Sequence, residues 1–326
     1  MITLEAEPVT PVIETEKLTK VYESGWFGGQ DVHALHEMDL SINQGEIFAY
    51  LGPNGSGKTT TIKMLLGLIF PTSGTIKLLG RKDIASPEVK GKIGYLPEGA
   101  YYPEFLKGEE ILKFYGQLYG LSGADLDKRI DRVLDVVSMT FARTRMLRGY
   151  SKGMRQRIGL AQALLSDPEI LIMDEPTTGL DPLARKEMRD ILANLRDEGK
   201  TLMISSHELQ EVELISDRVG IIYKGVMKIQ GTIDDLLVDR DISIDVGKID
   251  EAVASVLAQS GVSVDDTTTD HSMLRVPTSM SIYDAVSLCK ENNISINSIA
   301  PRRETLEELF VRTVGDASAQ EVKANT

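Results

Sequence analysis

Residues Gly52-Pro53-Asn54-Gly55-Ser56-Gly57-Lys58-Thr59 decide the reading of this chain. They follow an apolar run of strand length, Ile47–Leu51, and lead into a helical pattern over Lys58–Leu68. Glycines at this density let backbone N–H groups approach an oxyanion without interference from a Cβ. The helix N-terminus behind them adds its partial positive charge. In that setting Lys58 reaches terminal phosphates, Thr59 offers a hydroxyl to Mg²⁺, and Thr60 continues the helix start. Strand, glycine-rich turn and helix together predict a nucleoside triphosphate site cradled by residues 52–60.

Glu169-Ile170-Leu171-Ile172-Met173-Asp174-Glu175-Pro176 supplies what that loop lacks. A buried strand ending in Asp174 places one carboxylate to hold Mg²⁺ beside the nucleotide. Glu175, the next residue, points differently and is a candidate to orient or deprotonate an attacking water. Ile170–Met173, Leu202–Ile204 and Val219–Tyr223 are continuous apolar runs, the texture of parallel strands buried on both faces. Val12–Leu18 and His33–Ile42 read as short strands around a turn-rich stretch, Glu23–Gln30. From Lys107 to Leu165 apolar residues recur at helical spacing. Residues 12–239 are therefore read as an α/β domain, a mostly parallel sheet with a helical subdomain.

After Asp239 the texture changes. Ile242–Val246, Val262–Val264, Met273–Val276 and Ile294–Ile299 read as strands, Asp250–Ser260 and Ile282–Asn292 as helices. That order, βαββαβ, with a closing helix over Thr305–Val314, predicts a small ferredoxin-like α+β domain over residues 240–315. Residues 1–11 and 316–326 are expected to be flexible tails. No catalytic constellation is visible in this second domain, and the helix bearing Leu306, Leu309 and Phe310 is a candidate dimer contact.

Composition excludes several classes. The chain has 326 residues, 42% hydrophobic and 26% charged, an ordinary balance for a soluble protein. Its longest apolar run, Met64–Phe70, is far short of the ~20 residues of a membrane-spanning helix. Cys289 is the single cysteine and can form no internal disulfide. Net charge is −13, which disfavours nucleic acid as a partner, yet residues 51–157 hold 18 Lys and Arg against 10 Asp and Glu. That local excess reads either as an ordinary fluctuation of solvated surface charge or as a segment that meets something anionic.

Between the two phosphate-site motifs lies Tyr150-Ser151-Lys152-Gly153-Met154-Arg155-Gln156-Arg157, opening a helix. It resembles the signature segment of the ATP-binding-cassette (ABC) ATPases, in the form found in drug-resistance exporters. The resemblance covers about residues 12–235 with every motif in order. Gly179-Leu180-Asp181 matches the D-loop, His207 matches the switch histidine, and Tyr22 sits where the family stacks an aromatic on adenine. The resemblance implies a P-loop NTPase fold that hydrolyses ATP with Mg²⁺. It also implies a head-to-tail dimer, here a homodimer, in which Ser151 and the Gly153 backbone cap the other chain's nucleotide. Asp181 would shape that interface, and His207 would hydrogen-bond the terminal phosphate.

The resemblance further implies a separate transmembrane permease as partner, reached from the cytoplasmic face of the membrane. Coupling would run through residues 98–107, where Tyr101, Tyr102 and Phe105 suit either a docking surface or the subdomain's own core. Two departures from the family stand out. Glu98 follows Ile93-Gly94-Tyr95-Leu96-Pro97 where the family has a glutamine that senses Mg²⁺, and Lys152 and Met154 replace the commoner glycine and glutamine. The alternative is a soluble ATPase of the same fold acting on nucleic acid or ribosomes. Such relatives carry tandem cassettes or a long coiled-coil insertion, which this chain lacks. A nucleotide kinase would leave the signature segment and His207 without a role.

Overall fold

The computed structural model describes residues 11–23, 31–99, 101–266, 270–277 and 279–324, excepting the side chains of 239, 240, 266 and 316–324. Of the tail read over residues 1–11, residues 1–10 lie outside them and Pro11 opens a strand; most of the turn-rich stretch 23–30 also lies outside. The chain divides into two compact units. One holds residues up to Ile233 with those from Thr313 onward, and the other is Asp234–Arg312. Residues 234–239 go with the second unit, where the Arg303 guanidinium bonds the Leu237 carbonyl (2.9 Å) and the Asp234 carboxylate (2.9 Å). The sequence texture places that boundary at 239/240.

The first unit opens with β1 (Pro11–Tyr22), β2 (Val32–Asn43), β3 (Ile47–Leu51), α1 (Lys58–Leu65), β4 (Ser73–Leu78), α2 (Pro87–Lys90) and β5 (Ile93–Leu96). Three helices follow, α3 (Gly108–Leu118), α4 (Gly123–Val136) and α5 (Lys152–Leu164). Then come β6 (Ile170–Asp174), α6 (Pro182–Asp197), β7 (Thr201–Ser206), α7 (Leu209–Glu213), β8 (Arg218–Tyr223) and β9 (Val226–Thr232). The second unit contains α8 (Leu236 its last residue, from Ile233), β10 (Asp239–Gly247), α9 (Glu251–Gln259), β11 (Ser263–Asp266) and β12 (His271–Pro277). It continues with α10 (Ile282–Glu291) and β13 (Ile296–Arg303), and α11 (Leu306–Ala324) closes the described chain.

One sheet has the order β5-β6-β7-β3-β8-β9, parallel except for β9, which folds back on β8. Every residue of β3, β6 and β7 is buried, as continuous apolar runs demand of strands covered on both faces. A separate antiparallel sheet, β2-β1-β4, contributes Ile13, Leu18, Leu35 and Ile42 to the same core as Phe48, Tyr50 and Ile62. The sequence reading has no such second layer, because β4 carries only two buried residues, Ile76 and Leu78. The helical stretch 107–165 resolves into three helices, with 3₁₀ turns at Thr140–Ala142 and Leu147–Gly149 between the last two. Helix α1 closes at Leu65 rather than Leu68, where the Gly67 N–H turns back to the Met64 carbonyl (2.9 Å).

The second unit is the βαββαβ arrangement, with sheet order β11-β12-β10-β13. Ile244, Val246, Leu274 and Val276 alternate inward against Leu257, Ala285 and Cys289 of its two helices. Leu306 and Leu309 of α11 are fully buried within the chain, so they are not available to the dimer contact suggested by their spacing. The helix also continues to Ala324, past residue 315 where the sequence reading begins a tail.

Candidate active site

Parallel strands deliver their C-terminal ends to one edge of the sheet, and four of those ends carry the residues singled out in the sequence. β3 runs into the glycine-rich loop, β5 into Glu98, β6 into Asp174 and Glu175, and β7 into His207. Because β7 lies between β3 and β6, it holds the loop and the acidic pair one strand apart. Gly57 sits at the start of α1 with φ +111°, where a Cβ would come within 2.7 Å of the Ala34 carbonyl oxygen. It leaves the helix without a side-chain cap, so among the described residues no side chain takes up the first-turn N–H groups.

These residues enclose a cleft of about 400 Å³, lined by Pro53 through Thr60, Tyr22, Glu98, Asp174, Glu175 and His207. Gly52 lies buried beneath it, and its carbonyl accepts from the Lys58 ammonium at 2.5 Å, with the Pro53 carbonyl at 3.3 Å. Burial pulls the Lys58 ammonium below the usual lysine range, against the opposing charges of Glu175, Asp174 and Glu98. Asp174 is buried and its Oδ1 accepts from the Ser205 hydroxyl across the β6–β7 pair. Glu175 has φ +53°, a left-handed conformation that a glutamate adopts at a cost. Its Oε2 lies 2.8 Å from His207 Nδ1 and accepts from the Thr178 hydroxyl at 2.9 Å.

The structure thus brings together the phosphate loop, both carboxylates, Glu98, His207 and Tyr22. Tyr22 is 40% exposed at the cleft mouth, with the Lys20 ammonium 5.1 Å from its ring centroid. Ser151 and Gly153 are not among the residues lining this cleft. Ser151 caps α5 by accepting from the Met154 N–H at 3.2 Å and leaves its helix start facing outward. Sequence reasoning missed Val32, His33 and Ala34, which line the cleft beside Tyr22, and Ser205, which grips Asp174. The β1–β2 pairing of Tyr22 with Val32 was the available signal, hidden by the unread register.

A larger groove of about 780 Å³ crosses the antiparallel sheet, but Glu14, Glu16, Glu37 and Asp39 line it. Carboxylates repel a triphosphate, whereas the lysine and helix N-terminus of the smaller cleft suit one. The aromatics of residues 98–107 divide. Tyr102 packs edge-on against Tyr115 and donates to Gln162 (3.2 Å), whereas Tyr101 and Phe105 are 96% and 73% exposed.

A phosphate-binding loop at a strand-to-helix junction, with an Asp-Glu pair one strand away, defines a nucleotide-binding ATPase of the P-loop class. Comparison with known proteins narrows the class. The ABC transporter family profile matches residues 35–178. An uncharacterized ABC transporter ATP-binding protein of Synechocystis sp. (strain ATCC 27184 / PCC 6803 / Kazusa) is 38% identical over 92% of this chain and 84% of its own length. The linearmycin resistance ATP-binding protein of Bacillus subtilis (strain 168) is 38% identical over 85% of this chain and 92% of its length. A solved ATP-binding subunit of an ABC transporter superposes with TM-score 0.59 at 31% identity, over 69% of this chain and 91% of that one. The chain belongs to the ABC transporter ATP-binding proteins, a family that binds and hydrolyses ATP.

Proposed function

We propose that this chain is the ATP-hydrolysing subunit of an ABC exporter, working as a head-to-tail homodimer on a separate membrane permease. The observation that carries the reading is the convergence of Lys58, Asp174, Glu175 and His207 on one cleft at the ends of adjacent parallel strands. Lys58 and the first-turn N–H groups of α1 bind the β- and γ-phosphates, while Tyr22 stacks on the base. Glu175 accepts a proton from the attacking water, and His207 holds the Glu175 carboxylate in place and faces the terminal phosphate.

Mg²⁺ suits the donors present. The Thr59 hydroxyl and Asp174 carboxylate are hard oxygen ligands, and Asp174 Oδ2 has no partner among the described residues. Among those residues no group of three or more His, Cys, Asp or Glu is arranged to hold a metal, so Mg²⁺ would share its ligands with phosphate oxygens. Glu98 lines the same cleft, which supports it as a further ligand. When bound, the ion offsets charge on the transferring phosphoryl group.

Ser151 and Gly153 do not line their own chain's cleft, which supports their capping the nucleotide of a second chain. Among the described residues no helix is long and apolar enough to cross a membrane, so the transport path is assigned to a partner at whose cytoplasmic face this chain sits. Tyr101 and Phe105 supply exposed aromatic area for that docking. The name of the relative from Bacillus subtilis, a linearmycin resistance ATP-binding protein, supports export as the direction.

The test is recovery of partners on a Glu175→Gln chain from detergent-solubilised membranes, with and without ATP. The variant is expected to bind ATP, accumulate as a dimer and lose turnover by about 10² or more. An ATP-dependent multi-helix membrane protein is the expected co-purifying species. Recovery of ribosomal or DNA-repair proteins instead, or normal turnover of the variant, would overturn the proposal.

A further inference from the structure

Outside the cleft, a set of polar contacts joins the loop after β6 to the loop after β7. Glu208, immediately after His207, is mostly buried, and its carboxylate has two separate partners. Oε2 accepts from the Thr177 hydroxyl at 3.3 Å, and Oε1 lies 3.0 Å from Arg185 Nη2. Its backbone N–H donates to the Ser206 hydroxyl at 2.9 Å, which folds the loop back on the end of β7. Arg185, in the first turns of α6, faces the other way as well. Its Nε donates to the Leu180 carbonyl at 2.9 Å, and Nη1 lies 3.9 Å from Glu211 Oε1. Glu211 in turn pairs with Arg189.

We infer that Arg185 and Glu208 form a clamp that positions the Glu175–His207 pair. Neither residue lines the nucleotide cleft, so both act through others. Thr177 and Leu180 belong to the loop that carries Glu175 and Thr178; Glu208 and Glu211 belong to the segment that carries His207. The imidazole itself is about half exposed and Glu175 Oε2 is the contact that holds it. A side chain with one tether takes its position from its backbone, and the backbone of 206–208 is fixed by the bonds of Glu208. A planar guanidinium is suited to this task, since its fork can hold a carboxylate and a backbone carbonyl at fixed angles where an ammonium cannot. The clamp therefore makes the distance between catalytic base and histidine a property of the two loops together. Any movement of the 177–181 turn is passed to the His207 segment through Glu208, by the Thr177 hydrogen bond and the Arg185 ion pair. This role rests on the ATPase reading for its consequence, but not for its geometry.

The test uses the full chain in two measurements. With histidine labelled at ¹³Cε1, the chain's four imidazoles give separable signals, and His207 is assigned from His207→Gln. Arg185→Met and Glu208→Gln are each expected to shift or broaden the His207 signal while leaving His271, in the second unit, in place. The same variants are expected to lose about tenfold or more in kcat, with Kd for a fluorescent ATP analogue within about twofold of the parent. The double variant should lose no more than the worse single one, as members of one unit do. An unmoved His207 signal in both variants overturns the clamp, as does a loss of nucleotide affinity as large as the loss of kcat. If one variant does not fold, the other reads the same contact. If the parent chain has no ATP turnover, the ATPase reading fails, and the imidazole signals still decide the clamp.

Discussion

Thr61 offers a measure of how firmly the phosphate loop is anchored to the sheet. Its hydroxyl, fully buried, lies 3.0 Å from the Tyr50 phenol of β3 and 3.1 Å from the Gly57 carbonyl. Burial pushes the phenol far above its usual titration range, so Tyr50 is a neutral donor under all ordinary conditions. Thr61→Val keeps the shape and removes the hydroxyl. The Gly57 carbonyl still accepts from the Thr61 N–H at 2.9 Å, so it is not orphaned. The phenol is left with Met38 Sδ at 3.1 Å, a weak acceptor. One under-satisfied buried hydroxyl costs about 1–2 kcal/mol. Tyr50→Phe is milder, about 0.5–1.5 kcal/mol, since the Thr61 hydroxyl keeps the Gly57 carbonyl. The double variant leaves no orphan and is expected to be no worse than Thr61→Val alone.

For a unit of this size about 1 kcal/mol moves a thermal midpoint by roughly 2–4 °C. Thr61→Val should therefore lower it by about 2–8 °C in a circular-dichroism melt. Binding of a fluorescent ATP analogue should stay within about twofold, because Thr61 does not line the cleft. A melt within 1 °C of the parent, or a double variant that loses the full sum of the two singles, would refute the argument that this pair is a coupled, buried anchor.

Three further substitutions test other parts of the structure. Gly74 has φ +87°, and a Cβ there would sit 2.7 Å from the Glu16 carbonyl oxygen; Gly74→Ala is expected to cost about 2–4 kcal/mol, read as a lowered urea midpoint. Glu98→Gln removes a carboxylate from the cleft, so affinity for ATP in excess EDTA should rise about three- to tenfold. A smaller gain with Mg²⁺ present would show Glu98 helping to hold the ion. Burial opposes the ionised form of Asp167, but the Lys200 ammonium at 3.0 Å, with Arg129 and Arg132 behind it, holds its carboxyl below the usual carboxylate range. A depressed folded pKa stabilises above the ordinary carboxylate range and is lost as pH falls. Asp167→Asn should therefore melt lower than the parent at pH 7, and the gap should close toward pH 3.

What could be read from the sequence follows from how local each signal is. The phosphate loop, the β6 acids and β7 were legible because each is a continuous run whose chemistry sits at its end. The second unit was legible because its strands alternate cleanly, Ile244 and Val246 inward with Ser243 and Asp245 outward. β4, α6 and β9 were not. β9 has no fully buried residue, and α6 opens on Pro182 behind Asp181, a cap-plus-proline start that was there to be read. The docking of β1 against β2 that adds Val32 to Tyr22 depends on register, and bulges break that register at several points. The grip of Ser205 on Asp174 lies across two strands 31 residues apart, which no local pattern encodes.

Three side chains that the proposed chemistry needs already have partners within the chain. Lys58 is held by the Gly52 and Pro53 carbonyls, Asp174 by Ser205, and Glu175 by His207 and Thr178. For Lys58, nucleotide binding is therefore an exchange of partners, whereas the uncapped first turn of α1 offers N–H donors that no side chain holds among the described residues. Lys58 must give up two carbonyls to reach a phosphate, and its desolvated position makes a phosphate the stronger partner. Glu175 faces the converse problem. With one oxygen shared by a hydroxyl and an imidazole, and its backbone in a left-handed conformation, it keeps only its second oxygen for a water. In the proposed mechanism a base so restrained accepts a proton from one direction, and that direction is set where the β6 and β7 loops meet. On this proposal, substrate affinity and turnover are governed by different contacts. Changes at the loop carbonyls should move Kd, and changes at the β6–β7 junction should move kcat.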